Sequence, residues 1–131
     1  MKRKPRLLID TGAAVSVLSS DVFSREGKNL GSNLAPSSCR LTTASGQGLE
    51  THGSINLDMR IGKTITQQEF VIADLGNCEG ILGLDFLEQN CCYLDFSKGI
   101  LVIRGKSVSL IRETSTLCAR LRVEESVIIP P

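Results

Sequence analysis

The sequence has few of the features that support binding to nucleic acid or to a membrane. It contains no tryptophan and only 4% aromatic residues, so it lacks the aromatic platform on which single-stranded bases stack. A net charge of +1 provides no broad basic surface for a polyanion. No apolar run is long enough for a transmembrane helix, and no signal-peptide pattern follows the basic start. We therefore expect no direct nucleic-acid contact and no membrane contact.

Cysteine and histidine are spaced unlike the ligands of a metal site. The cysteines are odd in number and form no C-x-x-C pair, and His52 is the single histidine. Such spacing cannot supply a zinc site, so we expect no metal and no cofactor. Free thiols are typical of a reducing compartment, which predicts an intracellular, cytoplasmic location. The five cysteines are Cys39, Cys78, Cys91, Cys92 and Cys118.

Short strand-like runs dominate the 131 residues, a length suited to one domain. The segment SINLDMRIG alternates apolar and polar residues with the period of a half-buried strand. Only LDFLEQN suits a short helix, near Leu84–Gln89, and residues 27–36 suit a loop. The sequence predicts an all-β domain over residues 1–111, followed by a C-terminal tail or connector over residues 112–131 that could hold one further strand. The other strand-like runs are RLLID, AVSVL, EFVIAD and GILVIRG.

An aspartate stands where the first strand-like run ends, in LLIDTGAAVSVL. Burying the charge of Asp10 is costly unless the fold holds it there for a purpose. Gly12 permits a tight turn, and Thr11 offers a hydroxyl to a neighbouring group. Taken alone, the tripeptide Asp-Thr-Gly is equally compatible with an ordinary turn.

Two further segments follow the Asp-Thr-Gly turn in a definite order. ASGQGLETHGSINLDMRIG reads as a glycine-containing hairpin with a polar tip, and EGILGLDFL places an Ile-Leu pair and Gly83 before the helix. The ordered set spans about Leu7–Leu110. In this order the segments resemble the retropepsin-like aspartic proteases, and most of all the protease domain of gypsy-type LTR retrotransposon polyproteins.

The resemblance implies a fold and a reaction. The fold would be a retropepsin-like half-barrel with a glycine-containing flap hairpin and one short helix after the Ile-Leu-Gly motif. The reaction would be peptide hydrolysis by two carboxylates that share a proton, one acting as general base on water and the other as general acid. Because the chain has one Asp-Thr-Gly, the resemblance implies a homodimer in which Asp10 meets its own copy. The expected substrate is an extended peptide or polyprotein.

The resemblance also assigns roles to individual residues. Asp10 would be the catalytic carboxylate, Thr11 would bond across the dimer axis, and Gly12 would turn its amide toward the carboxylate. Gly83 would pack closely beneath the active-site loop. Residues on the pocket floor and in the flap would contact the substrate, although a plain core position is the alternative for Leu8 and Ile81. These residues are Leu8, Ala13, Ala14, Ala44, Ser45, Gly46, Gln47, Gly48 and Ile81.

Two features leave other interpretations open. Retropepsins usually carry a further hairpin before the Asp-Thr-Gly strand, but only nine residues precede Asp10, so that hairpin is absent or the chain is cropped. The predicted hairpin Cys92–Phe96 and Ile100–Arg104 could supply the dimer interface instead. One alternative is a catalytically silent relic or a domesticated interaction module of the same fold. The other is a cellular retropepsin-like protease, including a ubiquitin-linked one.

Overall fold

Strands are the main secondary structure of the computed structural model, which describes residues 4–30, 34–36, 41, 46, 48–114, 119–124 and 126–129. Within these residues ten strands lie in the order β10-β3-β4-β2-β5-β1-β9-β8-β7-β6. The predicted mostly β fold is therefore confirmed. The strands are β1 (Leu7–Ile9), β2 (Val17–Ser19), β3 (Thr51–Ile61), β4 (Thr64–Ala73), β5 (Gly80–Leu82), β6 (Tyr93–Asp95), β7 (Ile100–Ile103), β8 (Lys106–Thr114), β9 (Ala119–Val123) and β10 (Ser126–Ile128).

The centre of the sheet is formed by short strands that are distant in sequence. Strand β1 pairs in parallel with β5, and β2 pairs in parallel with β4 and antiparallel to β5. Leu7 on β1 and Leu82 on β5 are fully buried in the core. The core therefore fixes the two strand ends from which the Asp10 loop and helix α2 begin.

Helix α2 (Leu84–Gln89) has the bounds that the sequence predicts. A second helix, α1 (Ser20–Leu30), was not predicted, and it corrects both the expectation of one short helix and the loop proposed from Gly27. The side chain of Ser19 accepts a hydrogen bond from the Val22 amide at 3.0 Å, and Asp21 lies in the first turn. These are the local features that stabilise a helix start, and they outweigh the low helix propensity of Gly27.

The segment expected to be a tail contains two strands of the sheet. Strand β9 pairs with β8 and with β1, and β10 pairs with β3. Ser126 donates its hydroxyl to the Pro5 carbonyl at 2.8 Å, which joins the two ends of the described chain. These strands form because β1 and β3 offer unpaired edges, whose backbone groups require partners.

The region predicted to be the flap is described only in part. The Leu49 amide donates to the Leu41 carbonyl at 2.9 Å. At Gly46 and Gly48 nothing lies near the position that an added Cβ atom would take. No helix among the described residues has both the length and the hydropathy to cross a bilayer.

Candidate active site

Asp10 lies in an exposed loop directly after the buried strand β1. Its amide donates to the Leu82 carbonyl at 3.0 Å, which ties the loop to β5. The Gly12 amide donates to Asp10 Oδ1 at 2.9 Å, and the Ala13 amide donates to the Asp10 carbonyl at 3.1 Å. The carboxylate is thus held by the turn that follows it and faces solvent.

A second aspartate, Asp85, accepts hydrogen bonds from the chain that follows the Asp10 loop. Ser16 donates to it twice, from Oγ to Oδ1 at 2.7 Å and from the amide to Oδ2 at 3.1 Å. Gln68 Nε2 donates to Oδ2 at 3.0 Å, and the Phe86 amide donates to Oδ1 at 2.7 Å. Ser16 is fully buried and Gln68 is 2% exposed, so the carboxylate oxygens satisfy donors that water reaches poorly.

Gly83 links this network to the loop that carries Asp10. Its amide donates to Ser16 Oγ at 3.0 Å, and the next amide, that of Leu84, donates to the Ala13 carbonyl at 2.8 Å. A Cβ atom on Gly83 would lie 2.6 Å from the carbonyl oxygens of Ala13 and Val15. Only glycine therefore fits between the loop and the start of α2.

A groove of about 360 Å³ opens beside the carboxylate. Six of the eight described residues that line it have apolar side chains, and Asp10 is the one acidic residue among them. Phe96 is 75% exposed there, which is unusual for a phenylalanine. The lining residues are Leu8, Ile9, Asp10, Thr11, Ile81, Leu94, Phe96 and Leu121.

The structure brings several predicted site residues together and separates others. Leu8 and Ile81 line the groove beside Asp10 and Thr11, on neighbouring strands. The carbonyls of Ala13 and Ala14 instead accept hydrogen bonds from the first amides of α2. Gly46 and Gly48 lie in the described part of the predicted flap, whereas Ala44, Ser45 and Gln47 lie outside the described residues. The roles assigned to all of these residues remain predictions.

Sequence reasoning missed Ser16, Gln68 and Asp85 as supports of the site. Ser16 and Asp85 are 69 residues apart, so no local pattern reports their contact. A polar residue within the apolar run VSVL, six positions after Asp10, is the one signal that could have marked Ser16.

His52 lies near the start of β3, beyond the arm of the predicted flap. Its Nε2 is 3.0 Å from Asp74 Oδ1, and Ser20 Oγ donates to the same oxygen. The hydrogen bond from Ser20, followed by the one from His52, lowers the pKa of the Asp74 carboxyl. This cluster joins β3, the end of β4 and the start of α1 at the protein surface.

The described residues offer neither a metal site nor an activated thiol at the groove. No three His, Cys, Asp or Glu side chains among them lie close enough together to hold an ion. Burial raises the pKa of the Cys92 thiol to about 11, so this thiol stays protonated and unreactive near neutral pH.

A comparison with protein families identifies the family to which the chain belongs. Residues 2–89 match the family described as "gag-polyprotein putative aspartyl protease". The chain belongs to this family. This match confirms the resemblance to retropepsin-like aspartic proteases that was drawn from Asp10 and the motifs after it.

Individual relatives agree with the family. The chain is 25% identical over 95 residues to the retrovirus-related Pol polyprotein from transposon 412 of Drosophila melanogaster. The aligned region covers 70% of this chain and 7% of the polyprotein. The fold is similar to the retroviral protease-like domain of Ddi1 from Leishmania major, with a TM-score of 0.62, 17% identity and coverage of 83% of this chain and 94% of that one. The fold is also similar to that of EIAV protease in complex with the inhibitor HBY-793, with a TM-score of 0.52 and 20% identity. This match covers 73% of the present chain and 96% of the EIAV protease chain.

Proposed function

We propose that the chain is an aspartic endopeptidase whose active site forms between two copies, each contributing Asp10. The observation that supports this is the exposed carboxylate of Asp10, held by the Gly12 amide beside a groove whose other side chains are mostly apolar. Hydrolysis by this family's chemistry requires two adjacent carboxylates that hold one proton between them. Asp85 cannot be the second, because its oxygens are engaged by Ser16, Gln68 and Phe86.

The second carboxylate would come from an identical chain. Strand β6 lies at one end of the sheet, and within the described part of the chain no other strand pairs with its outer edge. Tyr93 and Phe96 at this strand are 61% and 75% exposed, and exposed aromatic residues of this size mark contact surfaces. Pairing of two β6 edges about a two-fold axis would cover these residues and bring two Asp10 loops together.

Within that dimer, one Asp10 would act as general base toward a water molecule and the protonated copy would donate to the scissile carbonyl. The flap, residues Ala44–Gly48, would close over an extended peptide and exclude water. Leu8 and Ile81 would contact the substrate side chains next to the scissile bond. The substrate would be a polyprotein of an LTR retrotransposon, since the relative from Drosophila is such a Pol polyprotein.

Replacement of Asp10 tests the proposal. Asp10→Asn preserves the shape of the side chain but removes the base, so peptide cleavage should fall by on the order of a thousandfold or more. Asp58→Asn, at an exposed position of β3, is the matched control and should leave cleavage unchanged. The wild-type rate should pass through a maximum at acidic pH, because the pair must hold one proton. A wild type that forms dimers without cleaving peptides would favour the silent interaction module instead.

A further inference from the structure

The start of strand β3 contains a bulge at His52. Thr51 lies opposite Ala73 of β4, and the next residue of β3 with a partner, Gly53, lies opposite Ile72. His52 is therefore an extra residue in the ladder between β3 and β4. Gly53 has a φ of 128°, a conformation that other residues rarely adopt. Bulges of this kind re-aim a side chain or mark the end of regular pairing.

The side chain at this bulge meets Asp74, the residue that follows β4. His52 Nε2 lies 3.0 Å from Asp74 Oδ1, and Ser20 at the start of α1 donates to the same oxygen. The Asp74 amide also donates to the Glu50 carbonyl at 3.1 Å. Residues 49–51, which lead from the predicted flap into β3, are here called the flap arm. Asp74 therefore connects the flap arm and the bulge to α1.

The residue types in this cluster are those of a serine hydrolase, but their order is different. In such a hydrolase the histidine lies between the other two and takes the proton of the serine hydroxyl. Here Asp74 Oδ1 lies between them, because Ser20 donates to the carboxylate and His52 meets the same oxygen. The cluster therefore joins three elements of the fold and does not activate a nucleophile.

The charges of the cluster depend on pH. Asp74 keeps its charge in mildly acidic solution, because hydrogen bonds from Ser20 and then from His52 lower the pKa of its carboxyl. Histidine side chains ordinarily gain a proton below about pH 6.5. The pair therefore carries opposite charges in mildly acidic solution, and the attraction is lost as the pH rises. The neighbouring carboxylates are Glu50 on the flap arm and Asp21 on α1, both exposed, but His52 is the one charged group among the described residues that shifts Asp74.

We infer that His52 is a positioning residue, whose pairing with Asp74 holds the flap arm against the body of the protein most firmly in mildly acidic solution. The inference rests on the proposed function, in which two copies of Asp10 share a proton and the flap covers the peptide. The fall in pH that protonates the shared site would then also charge His52. Because the two side chains are 39% and 50% exposed, we expect an effect of about two- to fivefold.

Hydrogen exchange at the Asp74 amide tests the hold on the flap arm without a measurement of activity. In the wild type its protection factor should fall by about two- to fivefold between about pH 5 and about pH 8, since the histidine loses its charge. His52→Gln should give low protection at both pH values, and His52→Lys, which stays charged, should give high protection at both. The Val71 amide, which donates to the Ser16 carbonyl at 3.0 Å on the same strand, is the control for global opening and should change less.

Peptide cleavage tests the consequence for the reaction. His52→Gln should lower kcat/KM at about pH 5 by about two- to fivefold, mostly through a higher KM, and should match the wild type near about pH 8. His52→Lys should restore the loss. Glu50→Gln removes the neighbouring carboxylate and is the matched control, so it should keep the wild-type pH profile. An equal loss at both pH values, or faster cleavage by His52→Gln, would overturn the inference.

The outcomes separate this inference from the proposed function. If His52→Gln abolishes a pH-dependent protection of the Asp74 amide in a chain that cleaves no peptide, the proposed function is refuted and the hold on the flap arm is retained. If an active wild type and His52→Gln protect the Asp74 amide equally at both pH values, the inference is refuted and the proposed function is retained.

Discussion

Ser16 and Asp85 form a two-point hydrogen-bonded link between the chain that follows Asp10 and helix α2. The Ser16 hydroxyl and amide donate to the two carboxylate oxygens of Asp85 at 2.7 and 3.1 Å. Ser16 Oγ also accepts the Gly83 amide, so one buried hydroxyl connects β5, α2 and the chain that follows Asp10. The position of the Asp10 carboxylate therefore depends on a second carboxylate that does not itself line the groove.

Removal of the Asp85 carboxylate should loosen this link. Asp85→Ala leaves the buried Ser16 and Gln68 donors unpaired, which should lower the free energy of unfolding by about 2–4 kcal/mol. It should also lower kcat by about tenfold or more with a smaller change in KM, since the loop loses its alignment. Denaturant unfolding and steady-state kinetics measure the two effects.

Two comparison variants make the result specific to Asp85. Asp85→Asn keeps one acceptor oxygen and should recover part of both losses. Glu88→Gln, at an exposed position on the same helix, should change stability by less than about 0.5 kcal/mol. Equal losses in the asparagine and alanine variants would show that the hydrogen bonds are not the cause.

Gly83 should tolerate no side chain. In Gly83→Ala the new methyl group would lie 2.6 Å from two backbone carbonyls, and backbone cannot move aside as a flexible side chain can. We expect a loss of at least about 2 kcal/mol in unfolding free energy, together with reduced cleavage. Gly48→Ala, where an added methyl group meets open space, is the control and should leave stability nearly unchanged. Comparable melting temperatures for the two variants would contradict this account.

The Asp74 carboxyl should titrate below its ordinary range because Ser20, and then His52, hydrogen-bond to it. A lowered pKa in the folded state means that Asp74 stabilises the fold above its unfolded pKa. That contribution is lost as the pH falls through the lowered value. Ser20→Ala and His52→Ala should therefore each raise the Asp74 pKa. Carbon NMR titration of the carboxyl measures both variants, and an unchanged Asp74 pKa in either would refute the assignment of that partner.

The sequence was most informative where local pattern and family motif coincide. Helix α2 follows Gly83 with a short apolar pattern, and its predicted bounds agree with the structure. Helix α1 was missed because Gly27 and the polar residues around it favour a loop, while its Ser19 cap is a weak signal. Asp85 was missed as a support because its partner Ser16 is 69 residues distant.

The C-terminal strands show a second limit of local reasoning. The segment ARLRV alternates apolar and basic residues as a strand does, but nothing near it in sequence predicts a partner strand for its second edge. Its partners are β8, which is local, and β1, which lies more than a hundred residues earlier. A strand that completes a sheet begun at the other end of the chain becomes evident only when the whole fold is known.

Leu94 should control the assembly of the active site. It is partly buried, lines the groove and lies on the edge strand β6, so Leu94→Asp should weaken the pairing of two copies. Activity should fall in dilute solution and recover in part as the concentration of the variant is raised. No concentration should restore Asp10→Asn, because that variant lacks the base even when dimeric. Initial rates over the same concentration range compare the two variants.

The most direct test of the account is the specific activity of the wild-type chain in a dilution series, measured beside its sedimentation mass. If two copies of Asp10 form each active site, activity per milligram rises with concentration and reaches a plateau where the mass reaches that of a dimer. The midpoints of the two curves should coincide. A chain that is monomeric by mass and cleaves peptide with a specific activity independent of concentration would contradict the shared site.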